Sequence, residues 1–79
     1  MQARSVIRNV EEDLQELDET DRAIKRLGQR IRAQEQRLVQ LKRDGIGIQS
    51  AEKIRADLCN SLQELVKHRA LILQALEVN

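Results

Sequence analysis

The chain has 79 residues, 14 basic and 13 acidic side chains, one histidine, one cysteine, and no proline or aromatic residue. That length holds one domain, and the lone Cys59 excludes a disulfide framework and a cysteine-based zinc site and suits a reducing compartment. No apolar run approaches the ~18 residues of a membrane span, and the first turns lack a signal-peptide core, so the expected location is the cytoplasm, with no membrane partner.

Eleven Leu, seven Ile and five Val are the only large aliphatics. A chain this small, with no aromatic side chain to bury, has little stability to spare. Small scaffolds are completed by disulfides, metal, oligomerisation or a partner. The first two are missing from the sequence, which leaves the last two.

Helix 1 is expected over about residues 3–43. Its seam runs Ala3, Ile7, Val10, Leu14, Leu17, Asp21, Ile24, Leu27, Ile31, Gln34, Leu38 and Leu41. The steps alternate four and three, as in a coiled coil, but two successive three-steps flank Ile24, between Asp21 and Leu27. Such a stammer overwinds the helix locally. A rival reading breaks the helix at Asp18-Glu19-Thr20-Asp21 and makes a three-helix bundle.

The loop is expected over residues 44–50. Gly45 suits the left-handed position after the helix, Ile46 would pack back on Leu41, and Ser50 would cap helix 2 with Glu52 in its first turn. Helix 2 is expected over about residues 51–77. One row is Ala51, Ile54, Leu58, Leu62, Leu65, Ile72 and Leu76, and a second is Cys59, Leu62, Val66, Ala70 and Leu73. A helix apolar on more than one face is covered by more than one neighbour.

These elements define an all-α fold. It is a single helical-hairpin domain over residues 1–79, two antiparallel helices expected to dimerise into a four-helix bundle or coiled coil. A turn near residue 47 would leave residues 1–16 overhanging without a partner in their own chain. The expected interface is therefore Ile7, Val10, Leu14, Leu17, Ile24, Ile31 and Leu38 on helix 1, with Leu62, Val66 and Leu73 on helix 2.

Charge is segregated under a net charge of +1. Residues 11–21 hold seven acids and no base, whereas residues 22–43 hold eight bases and Glu35 before Asp44. Antiparallel pairing of two copies of helix 1 would answer this. In that register Ile7 meets Leu38, Leu14 meets Ile31 and Leu17 meets Gly28, while Glu11 falls near Arg32 and Asp18 near Lys25.

No catalytic, cofactor or metal constellation is present, and no small-molecule substrate is implied. His68 stands alone, Ser5, Ser50 and Ser61 lack an activating base, and Gly45-Ile46-Gly47 lacks the flanks of a phosphate loop. Residues 14–24, Leu14-Gln15-Glu16-Leu17-Asp18-Glu19-Thr20-Asp21-Arg22-Ala23-Ile24, resemble the first helix of all-helical chorismate mutases. That family's third helix and polar site residues have no counterpart, so the resemblance implies no activity here.

The expectation is a non-enzymatic protein–protein interaction module. It would be a self-associating adaptor, co-chaperone or regulator whose partners are itself and a larger helical protein. The outline is similar to that of small two-helix co-chaperones of secretion systems, and the small size suits a phage or mobile-element protein. The alternative is a dimeric hairpin that binds RNA or DNA through Arg22, Arg26, Arg30 and Arg37. Near-zero net charge and the absence of stacking aromatics count against it.

Overall fold

A computed structural model describes the backbone of residues 2–78 and the side chains of residues 10–78. The expectations placed on Ala3 and Ile7 lie outside the described side chains. Two helices, α1 (Gln2–Asp44) and α2 (Ile48–Val78), pack against each other as an antiparallel hairpin. A 43-residue helix rises about 64 Å, which matches the 63 Å long dimension of the molecule. Neither helix is long and apolar enough to cross a membrane.

α1 runs unbroken through Asp18–Asp21, so the three-helix reading fails. No glycine or proline interrupts that stretch, and the i,i+4 pair of Asp18 with Arg22 (3.1 Å) spans it. The seam also differs from the expected one. Buried or half-buried positions recur at Val10, Asp13, Leu17, Thr20, Ile24, Leu27, Ile31, Gln34, Leu38 and Leu41. Their steps alternate three and four throughout, so there is no stammer. Thr20 takes the place assigned to Asp21, and Asp13 the place assigned to Leu14. Thr20 is buried, whereas Leu14 is 53% exposed.

α2 answers with the same period: Ile48, Ala51, Leu58, Leu62, Leu65, Arg69, Ile72 and Leu76, with the exposed Arg55 at the position between Ala51 and Leu58. Four apolar residues are buried, Ile31, Leu38, Ala51 and Ile72, but no described side chain is fully so. Two helices cover only one stripe of each other.

The loop is shorter than expected, just Gly45-Ile46-Gly47. Gly45 has φ +73° and donates its N–H to the Leu41 carbonyl (2.7 Å), the single-bond form of the left-handed helix cap. Ile46 does not fold back on Leu41 as expected, for it is 67% exposed. Leu41 instead lies beneath Gly47, where a Cβ would sit 3.8 Å from its Cδ2. Gly47 (φ +68°) replaces Ser50 as the cap: its carbonyl already accepts the Ala51 N–H (3.2 Å), and Ser50 falls inside the first turn.

Because the loop is this tight, α2 starts early and climbs further along α1 than a turn near residue 47 would allow. His68 Nε2 lies 2.6 Å from Glu16 Oε1, and α2 runs ten residues beyond that level to Val78, so it does not stop opposite residue 17 as the expected overhang requires. α2 ends level with the first described turns of α1.

A candidate interaction surface

Polar contacts fix the register from end to end. Gln34 Nε2 donates to the Ala51 carbonyl (2.9 Å), Arg55 Nε to Glu35 Oε2 (3.4 Å) and Arg69 Nε to Asp21 Oδ1 (2.6 Å). Among the described residues, no buried side-chain nitrogen or oxygen is left without a hydrogen-bond partner. The ion pairs sit at the edge of the seam, each partner about half exposed, where such pairs contribute on the order of 0–1 kcal/mol.

The seam divides the remaining surface into two flanks. One is built from the residues following Asp13, Thr20, Leu27 and Gln34 on α1, and those following Ala51, Leu58, Leu65 and Ile72 on α2. These are Leu14, Asp21, Gly28 and Glu35, with Glu52, Cys59, Val66 and Leu73. A groove of about 530 Å³ near the loop, lined by Glu35, Val39, Glu52 and Ala56 among others, confirms that both sets share one side. The opposite flank holds Glu16, Ala23, Arg30 and Arg37 with Ile54, Ser61, His68 and Ala75. Its groove, about 320 Å³, is lined by Ala23, Arg26, Leu27, Arg30 and Leu65.

The expected interface residues therefore separate. Ile31 and Leu38 are buried within their own hairpin, and Val10, Leu17, Ile24 and Leu62 are half-buried on the same seam. α2 occupies the stripe on which two copies of helix 1 were expected to interlock, which corrects the layers pairing Ile7 with Leu38 and Leu14 with Ile31. Leu14 and Val66 are exposed and Leu73 half-buried, together on the first flank. Glu11, Asp18, Lys25 and Arg32 are all exposed, and their seven-residue spacing makes them one row along the outer shoulder of that flank. Arg26, Arg30 and Arg37 are exposed too, on the other side of α1, and Arg22 is exposed on its back, paired with Asp18.

Sequence reading missed the seam's polar members, Asp13, Thr20, Arg55 and Arg69. Only an unbroken seven-residue period reveals them, since residue type alone points elsewhere. Among the described residues, no group of three or more His, Cys, Asp or Glu could hold a metal ion.

No protein-family model matches the chain, and neither does any curated protein or any solved structure.

Proposed function

We propose that the chain is a non-enzymatic protein–protein interaction module that completes its core by taking up another helical surface. One observation carries this reading. Seven large aliphatics, Leu14, Val39, Ile46, Ile54, Val66, Leu71 and Val78, are 50–83% exposed, and no described side chain is fully buried. Exposed apolar surface on a helical hairpin gains free energy by association, at about 25 cal/mol per Å² removed from water. In this reading the protein acts as a small adaptor or regulator in the cytoplasm, on a partner that offers an amphipathic helix or a bundle.

The test is the mass of the purified protein by sedimentation, together with affinity capture from a lysate. The reading expects either self-association or a stoichiometric helical partner. A chain that stays monomeric and captures nothing sinks it.

A second reading has its own observation. Arg22, Arg26, Arg30 and Arg37, four of the exposed arginines of α1, follow one another at close to helical spacing, and Arg26 and Arg30 flank a groove. Such a rail can track phosphates. Salt-sensitive retention on heparin or RNA favours it; elution with neutral proteins of the same size retires it.

A further inference from the structure

The first flank matches itself. On its shoulder, Glu11, Asp18, Lys25 and Arg32 read acid, acid, base, base at seven-residue spacing. Turned end for end about the point between residues 21 and 22, this row lays Glu11 on Arg32 and Asp18 on Lys25. The whole molecule divides at the same point. The open end, residues 10–21 and 68–78, holds eight acids against Arg69 and is net −7; Arg4 and Arg8 beyond it leave −5. The loop end, residues 22–67, holds eleven bases and five acids and is net +6.

The apolar members agree with that centre. Leu14 and Gly28 stand equally far from Asp21 on α1, half a residue from that point, and Cys59 and Leu73 stand equally far from Val66 on α2. Val66 lies less than one turn from Arg69, whose guanidinium bonds Asp21, so the two centres are at nearly the same height. Gly28 is otherwise unexplained. It is a mid-helix glycine with ordinary helical φ, worth about 1 kcal/mol less than alanine there, and a Cβ at that place would meet nothing within 4 Å. Open space beside a glycine on an exposed flank is a hole for an incoming side chain, and Leu14 is the exposed knob at the matching distance.

We infer that the partner is a second copy of this chain, packed antiparallel on this flank about a two-fold axis at the level of Asp21 and Val66. Leu14 seats on the other copy's Gly28, Leu73 meets Cys59, the two Val66 side chains meet each other, and the shoulder rows pair acid with base. The product is a four-helix bundle in which every neighbouring pair of helices is antiparallel. The molecule is 63 Å long and about 15 Å wide, so a standard stable interface of ~800 Å² per partner would use nearly the whole face. The opposite flank offers Ala23, Ile54 and Ala75, with Leu71 and Val78 on its outer shoulder, as apolar members. This inference rests on the interaction reading above and names its partner.

The test uses the full chain. The parent protein should sediment at twice 9.1 kDa. In a Cys59→Ser background, Val66→Cys should be joined to its copy by a short bismaleimide in high yield, and Ser61→Cys, on the opposite flank, should not. Gly28→Leu fills the hole, and its Cβ meets nothing inside the hairpin, so it should keep helicity while weakening the dimer at least tenfold. A folded monomer overturns the inference, yet leaves the interaction reading standing if that monomer captures another protein; a monomer that captures nothing overturns both. A dimer that cross-links through Ser61→Cys rather than Val66→Cys overturns the flank, and a dimer unaffected by Gly28→Leu overturns the register.

Discussion

Arg69 Nε lies 2.6 Å from Asp21 Oδ1, and the relationship recurs fourteen residues along both helices, where Arg55 Nε lies 3.4 Å from Glu35 Oε2. Both arginines occupy seam positions of α2, yet their charged ends reach the rim. Their stems cover apolar surface while the guanidinium stays wet. Asp21→Ala or Glu35→Ala should therefore cost less than about 1 kcal/mol each, because both partners of each pair are more than a third exposed and screened by water. The two losses should add within a few tenths of a kcal/mol, since the sites are about 21 Å apart. Urea denaturation of the two single variants and the double variant measures this, and coupling above about 1 kcal/mol would contradict it.

The core is where stability is concentrated. Ile31, Leu38 and Ile72 are the large buried residues, and Ile31→Ala, Leu38→Ala or Ile72→Ala should each cost about 2–4 kcal/mol. For a chain of this size that is a large share of the total. Val39→Ala, on the 57% exposed rim, should stay within about 0.5 kcal/mol of the parent. Thermal unfolding followed by circular dichroism ranks the four.

The hairpin itself was legible because two signals agreed: a long alternation of three- and four-residue steps, and Gly45-Ile46-Gly47 as its one strong interruption. The seam's exact membership was not. Leu14 is apolar and Asp13 is not, so reading by residue type picks Leu14, and the same preference passes over Thr20. Each substitution shifts the apparent stripe by one residue and creates a false stammer. The actual period accepts a polar residue at Asp13 because that position is only half-buried, where a carboxylate costs little; Thr20, by contrast, is buried. Ser50 failed as a cap for a different reason. Gly47 can take a left-handed φ and start the helix itself, which moves α2 back by about one turn and lengthens its overlap with α1.

That geometry makes the loop sensitive to Cβ atoms. Gly45 and Gly47 hold φ near +70°, a region that costs an L-residue roughly 1–2 kcal/mol. Gly45→Ala meets no neighbour within 4 Å, and at Gly47 the new Cβ makes only ordinary contact with Leu41, so each loss should be purely a backbone effect of about 1 kcal/mol. Gly45→Asn should recover much of it, since Asn tolerates this conformation better than other side chains. An alanine variant as stable as the parent would mean that the loop readily adopts another turn.

The polar seam positions separate stability from specificity. Gln34 Nε2 donates to the Ala51 carbonyl at 2.9 Å and ties the middle of α1 to the first turn of α2. Gln34→Ala loses both that bond and its packing and should cost about 1–2 kcal/mol. Gln34→Leu keeps the packing and should end within about 1 kcal/mol of the parent, but it removes a contact that only one register satisfies. Asp13→Leu should stabilise by about 1 kcal/mol, because the half-buried position faces α2 and gains apolar burial. If polar seam residues pin the register, combining Asp13→Leu with Gln34→Leu should raise the denaturation midpoint while broadening the amide NMR spectrum. A uniformly sharp spectrum in the double variant would show that the apolar layers set the register without them.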